Sequence, residues 1–193
     1  IKGYQTSERI ADALEVFLRE GVNLTMSPPS PLMDEARSRA EQRAGVPLCW
    51  ICTPIFELTS EGPDWGDATR AFDAAAASGA AFCWPHTAVT DRLYDGLAGT
   101  IRFMDRLCAM VRERGMIPGL STHHPETIVY ADERGLDVGT YIQIYNAAGF
   151  LMPYEIDWTH RIIHEAKHPV ITIKPLAAGR LIPLVGLAFS WST

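Results

Sequence analysis

Strand-like and helix-like segments alternate along this chain, and that alternation limits its fold more than any other feature. Six apolar runs have the length and composition of strands, and they recur about every 25 to 35 residues with helical segments between them. The predicted strands are residues 22–27, 47–53, 80–84, 116–121, 140–145 and 169–174. The predicted helices are residues 7–20, 32–44, 67–78, 100–114, 125–134, 156–166 and 184–191. This order predicts an α/β fold whose sheet is parallel and covered by helices.

Polar residues stand at the end of nearly every predicted strand. They are Ser27, Thr53, His86, residues 121–124, Tyr145 with Asn146, and Lys174. A (β/α)8 TIM barrel places polar residues there, whereas an open doubly wound sheet usually carries a Gly-rich fingerprint after its first strand. The sequence contains no GxGxxG motif, which favours the barrel.

A barrel needs about eight strands, and six are visible. The chain opens and closes in helices, and it begins without Met. We therefore expect residues 1–193 to form a single, partial TIM-barrel domain, with the first and last strands missing from the given chain and supplied by a longer polypeptide.

The amino-acid composition argues against some classes of binding partner. The net charge is −6 and there is no Lys/Arg-rich run, which argues against nucleic acid or an anionic membrane as a partner. No apolar run is long enough to span a bilayer. The four cysteines, Cys49, Cys52, Cys83 and Cys108, are typical of buried free thiols in a cytoplasmic protein. A zinc site from Cys52, Cys83 and His86 is an alternative.

Two segments carry a resemblance to a known family. Gly119-Leu120-Ser121 followed by Gln143-Ile144-Tyr145-Asn146 resembles the fifth and sixth strands of the aldo/keto reductase-like TIM-barrel superfamily. The segment HPVITIKPLAAGRL at 168–181 resembles that superfamily's seventh strand. The likeness covers about 80 residues at the level of motifs. It implies a barrel, and it would make this chain a divergent member.

The resemblance also implies a catalytic tetrad of Asp, Tyr, Lys and His, which this chain does not keep. Ser27 ends the strand where the Asp would lie, and Thr53 ends the strand where the Lys would lie. Ile173 occupies the place of the aromatic residue that stacks on nicotinamide. Only the His has a counterpart, His86. Carbonyl reduction by that mechanism is therefore not expected, and NADP is a weaker cofactor candidate than a divalent metal.

Three histidines are the first candidates for chemistry. His86, His123 and His124 follow strands whose ends would face the barrel mouth. We expect acid/base catalysis from them, with a metal held by His86 and His123 as an alternative. A structural alternative is that Thr122 or a histidine caps the next helix while Glu126 meets its dipole. His124 and Glu126 could instead form an oriented acid/base pair.

The remaining candidates would bind substrate. Lys174 is expected to act in catalysis or to bind an anion, with Arg180 nearby to help hold a phosphate or carboxylate. Further polar groups expected to line the site are Ser121, Glu126, Gln143, Tyr145 and Asn146. His160 and His164 lie on an outer helix, where a surface role is expected.

These residues predict an enzyme that acts on a small polar or anionic substrate at the C-terminal mouth of a barrel. The chemistry would be histidine-based acid/base or metal-assisted. The alternative is a reductase-like barrel that binds a ligand or NADP without turnover, or that serves as a scaffold in a homo-oligomer.

Overall fold

The chain folds as a mixed α/β protein whose principal strands are parallel. The computed structural model describes residues 6–193. The strands are β1 (Leu24–Ser27), β2 (Cys49–Cys52), β3 (Leu58–Thr59), β4 (Gly62–Pro63), β5 (Phe82–Cys83), β6 (Tyr94–Asp95), β7 (Thr100–Ile101), β8 (Ile117–Pro118), β9 (Leu120–Thr122), β10 (Tyr141–Ile144) and β11 (Val170–Ile173). The helices are α1 (Ser7–Arg19), α2 (Pro31–Ala44), α3 (Trp65–Ala77), α4 (Thr87–Leu93), α5 (Met104–Arg112), α6 (Glu126–Arg134), α7 (Ile156–Glu165) and α8 (Pro183–Trp191).

Strand pairing follows chain order. One parallel sheet has the order β1-β2-β5-β8, and a second has the order β9-β10-β11. Gly119 alone separates β8 from β9, so the two sheets meet in one extended segment. Parallel pairing in chain order brings the C-terminal ends of successive strands to the same edge, which is the edge where the candidate residues lie.

The two faces of the sheets differ in what covers them. Trp50, Cys52 and Cys83 belong to the large core that the helices share with one face. The alternate residues Ile51 and Trp84 belong to a smaller apolar cluster on the other face. Ile142 completes that cluster, and Phe82, Ile171 and Ile173 pack against it. The alternation follows from the two-residue period of a strand.

The segment between His86 and Met104 differs from the sequence prediction. We expected a polar loop at 87–96 and a helix at 100–114; the structure has α4 in the first and begins α5 only at Met104, after the β6–β7 hairpin. Half of the buried residues of α4 are threonines, Thr87 and Thr90, beside Val89 and Leu93. A hydropathy pattern counts those threonines as polar, which hid the helix.

Two smaller differences lie nearby. The loop expected at 54–66 contains the β3–β4 hairpin. Helix α3 begins at Trp65, because the Asp64 side chain caps it by accepting the Asp67 backbone N–H at 2.9 Å. The expectation of a further strand before Ile1 and after Thr193 concerns positions outside the described residues and is not tested by them. No helix in the part of the chain that the structure describes is long and apolar enough to cross a membrane.

Gly119 provides a test of this arrangement. An ideal Cβ at Gly119 would lie 2.5 Å from a ring carbon of Trp84 and 2.9 Å from the Thr140 carbonyl oxygen. Because Trp84 is fully buried and Thr140 contributes backbone, neither can move aside easily. We expect Gly119→Ala to lower the free energy of unfolding in urea by about 1–3 kcal/mol.

Gly66→Ala is the matched control. Gly66 lies in the first turn of α3, and an added Cβ there meets only side-chain atoms of Asp64 and Arg70, at 3.3 Å or more. Its effect should be smaller than that of Gly119→Ala. Equal effects of the two substitutions would contradict close packing at the junction of the sheets.

Candidate functional site

A cavity of about 300 Å³ lies at the C-terminal edge of the parallel strands. It is lined by residues in or just after β1, β2, β5, β9 and β11. They are Met26, Ser27, Pro28, Thr53, His86, Thr87, Ser121, His123, Ile173 and Lys174. This volume is at the lower end of the range for small-molecule sites. Four residues predicted as site residues, His86, Ser121, His123 and Lys174, therefore share one cavity, and Ser27 and Thr53 add two hydroxyl groups.

The Asp91 carboxylate orients His123. One oxygen lies 2.5 Å from His123 Nδ1, and the other accepts the His123 backbone N–H at 3.0 Å and the Thr122 hydroxyl at 2.8 Å. A carboxylate can only accept, so Nδ1 carries the proton. Nε2 of the neutral ring then carries the lone pair. This is the arrangement of a histidine held ready to act as a base.

His86 is held in the opposite tautomer. Its Nδ1 accepts the backbone N–H of Ala88 at 3.1 Å as His86 caps α4. Because a backbone amide can only donate, the proton of the neutral ring lies on Nε2. The pKa of His86 is lowered from 6.5, first by burial and then by the positive charge of His123 when that ring is protonated, with Lys174 adding a smaller effect in the same direction and Asp91 opposing it. The ring is thus kept neutral and able to donate.

Lys174 directly follows β11 in a turn of unusual backbone conformation. Its φ is +58°, and Ala177 and Ala178 also have positive φ values of +48° and +57°. Such conformations are costly for residues other than glycine and tend to occur at functional sites. Among residues 6–193, no carboxylate lies within ion-pair distance of Lys174. Its ammonium group is therefore a cation that a ligand can use.

Glu126 links the segments around the cavity through hydrogen bonds from two tyrosines. It is buried, and its Oε1 accepts the hydroxyl of Tyr94 at 2.5 Å and that of Tyr154 at 2.7 Å. The pKa of Tyr94 is raised by burial and by the bond to Glu126, so its hydroxyl stays protonated. His124 Nδ1 lies 3.7 Å from the same carboxylate oxygen, and its ring stacks on Tyr94. Glu126 therefore connects the loops after β5, β9 and β10.

The predicted capping of the next helix by Thr122 or a histidine is not observed, because α6 begins after Pro125 without a side-chain cap. The Thr122 and Thr127 hydroxyls instead bond to the His124 backbone in the turn before the helix. Thr122 Oγ1 accepts the N–H at 3.0 Å, and Thr127 Oγ1 donates to the carbonyl at 2.6 Å. Neither His124 nor Glu126 contributes to the lining of the cavity. The structure places them beside the His123 loop, where they shape it.

Four other predicted site residues also lie apart from the cavity lining. The Tyr145 hydroxyl lies 3.1 Å from His160 Nδ1 and its ring stacks on Phe189, so it faces the helices. Asn146 closes its own turn through two bonds to the Phe150 backbone. Gln143 is fully buried, and Arg180 lies over the Phe150 ring. His160, expected to have a surface role, is instead a partner of Tyr145.

The geometry of the site also bears on the two predicted metal sites, one held by His86 and His123 and one by Cys52, Cys83 and His86. Within residues 6–193, no group of three or more His, Cys, Asp or Glu residues is placed to hold a metal ion. His86 could ligate a metal through Nε2 only after losing the proton that its bond to Ala88 puts there. All four cysteines are free, and the pKa of Cys83 is raised by its hydrogen bond with Cys52 and by burial, which keeps it a thiol.

Sequence reasoning missed Asp91, Tyr94 and Tyr154. The sequence predicts a polar loop at Asp91, whereas the structure places this residue in α4, where it contacts His123 across 32 positions of sequence. A single sequence carries no signal for such a contact.

Comparison of the chain with models of known protein families and with curated protein sequences gives no match. The superfamily resemblance therefore stays a prediction, and the function must be inferred from the site itself.

The protonation of His86 can be measured directly. In an NMR titration of the ring Cε1–H signals, we expect His86 to titrate below 6.5, with His86→Gln identifying its signal. The unfolded chain then binds more protons than the folded one, so the stability contributed by His86 is full above about pH 6.5 and is lost as pH falls through the lowered pKa. A midpoint at or above 6.5 would contradict the environment described for this ring.

Proposed function

We propose that the chain is an enzyme of the (β/α)-barrel class that acts on a small anionic substrate. His123 would be the general base, His86 a hydrogen-bond donor and Lys174 the anion-binding group. The observation that supports this most is that these three side chains line one cavity with the hydroxyl-bearing residues Ser27, Thr53 and Ser121. General acid/base catalysis needs such groups to converge on one bound molecule.

The proposed barrel is supported by the fact that residues of the first and the last strand line the same cavity. Ser27 belongs to β1 and Lys174 follows β11, and these strands stand at opposite ends of the strand order. Neighbouring strands are spaced about 4.8 Å apart, so five spacings in a flat sheet would separate the two by roughly 24 Å. A cavity of about 300 Å³ touches both, which is expected if the strands curve around it.

Acid/base chemistry is favoured over metal-assisted chemistry by the two tautomers. Asp91 leaves His123 with its lone pair on Nε2, whereas Ala88 leaves His86 with its proton on Nε2. One acceptor and one donor suit a substrate that loses a proton at one atom and gains a hydrogen bond at another. A metal would need lone pairs on both rings.

The reductase resemblance contributes a fold and not a reaction to this proposal. Ile173 lines the cavity where the resemblance would put a ring to stack on nicotinamide, and Ser27 and Thr53 line it where an Asp and a Lys are implied. These residues do not fit hydride transfer from a nicotinamide cofactor. Membership of that superfamily is part of the proposal. If the chain binds an anion in this cavity but catalyses no reaction, the alternative of a barrel that binds without turnover is favoured.

Anion binding is the part of the function that can be tested before a substrate is known. We expect calorimetric titration with inorganic phosphate and with pyruvate to show binding of at least one of them. Lys174→Met should weaken it about tenfold or more, because a charged hydrogen bond contributes about 1.5–3 kcal/mol.

Arg161→Met is the control, because it removes the same charge from an exposed position of α7 that lines a different groove. It should leave the affinity unchanged. Equal weakening by both substitutions would show only general electrostatic attraction, and no binding of either anion would count against the proposed function.

A further inference from the structure

The two histidines of the cavity are not equivalent, and their difference indicates a reaction class. His86 presents Nε2–H because Ala88 occupies its Nδ1, and His123 presents an Nε2 lone pair because Asp91 occupies its Nδ1. A neutral imidazole that donates a hydrogen bond is well suited to polarise a carbonyl oxygen, since it stabilises an enolate without adding a net charge. An imidazole backed by a carboxylate is suited to remove a proton.

We propose that the site enolises a small carbonyl compound that carries a carboxylate or phosphate group, with His86 donating to the carbonyl oxygen and His123 removing a proton from the adjacent carbon. This inference rests on the proposed function and deepens it by naming the substrate class. Lys174 holds the anionic group, and the hydroxyls of Thr53 and Ser121 are available to the other oxygens of the substrate. The Ser27 hydroxyl already accepts the Trp50 Nε1–H at 3.0 Å.

The step balances without any further reactant. The C–H bond beside the carbonyl breaks, its proton moves to Nε2 of His123, and its electron pair becomes the C=C bond. The π pair of the C=O bond moves to oxygen, and the resulting enolate accepts the Nε2–H hydrogen bond of His86. The imidazolium formed at His123 is stabilised by the Asp91 carboxylate at Nδ1. Return of the proton regenerates a carbonyl compound, and no oxidant or reductant takes part.

The electrostatics of the cavity agree with this division of roles. The pKa of His86 is lowered by burial, by the positive charge that His123 gains when it takes up a proton, and by Lys174, so the ring that donates to the carbonyl stays neutral; Asp91 opposes these effects. The rest of the cavity lining is uncharged: the hydroxyls of Ser27, Thr53, Thr87 and Ser121, and the apolar Met26, Pro28 and Ile173. A single cation beside apolar and hydroxyl groups fits a small molecule with one anionic end.

The test is exchange of carbon-bound hydrogen in D₂O. The full chain is incubated with pyruvate or with dihydroxyacetone phosphate, and NMR follows both the loss of C–H signal and, by saturation transfer, the binding of each probe. We expect exchange above the buffer rate for one or both probes. Exchange of pyruvate would indicate a site for a carboxylate, and exchange of dihydroxyacetone phosphate a site for a phosphate. His123→Ala should remove it, and His86→Ala should lower it about 10²-fold.

Three further variants make the roles separable. His86→Gln keeps an N–H donor and should recover part of the exchange that His86→Ala loses. His164→Gln, at an exposed position of α7, should leave exchange unchanged. The rate for the intact chain should rise with pH and then level off, because His86 and His123 both act while neutral. A fall in rate at higher pH, as expected if His86 acted as an imidazolium, would overturn its role.

The outcomes distinguish this inference from the proposed function. Probe binding that depends on Lys174, with exchange no faster than in His123→Ala, would overturn enolisation and leave the anion-binding site standing. Exchange that survives His86→Ala would overturn the donor role of His86. Binding of neither probe would overturn both proposals together.

Discussion

Parallel pairing on both sides of the segment from Ile117 to Thr122 is the constraint on which the rest of the structure depends. β8 pairs with β5, β9 pairs with β10, and Gly119 between them lets the buried Trp84 ring lie against the backbone. This segment joins the two sheets into one series of strands, so that their C-terminal ends share an edge. Its own end delivers Ser121, Thr122 and His123 to that edge.

Strand order and the line of polar strand ends could be predicted from the sequence, because apolar runs and the glycines that end helices are local signals. The face on which a residue lies was harder to predict. Tyr145 ends an expected strand, yet it packs against His160 and Phe189 on the helical side. Contacts distant in sequence could not be predicted at all: Asp91 reaches His123 across 32 positions, from a helix whose threonines made it resemble a loop.

Helix α4 determines which ring nitrogen carries the proton in both histidines of the cavity. His86 caps the helix and Asp91 lies within it, so one short element sets the tautomers of both imidazoles in the cavity. Glu126 then holds the loops around them through the hydroxyls of Tyr94 and Tyr154. The hydrogen bonds of both imidazoles are thereby set before any ligand arrives. The proposed catalysis would use this form of preorganisation.

Mapping where a small anion binds tests most directly whether these groups form one site. With ¹³C-methyl methionine and ¹³C-labelled histidine, titration with pyruvate or phosphate should shift the Met26 methyl and the His86 and His123 ring signals along one binding curve. The Met104 methyl, buried in the helical core, should stay in place. Shifts confined to other histidines, or separate binding curves for His86 and His123, would contradict a shared site.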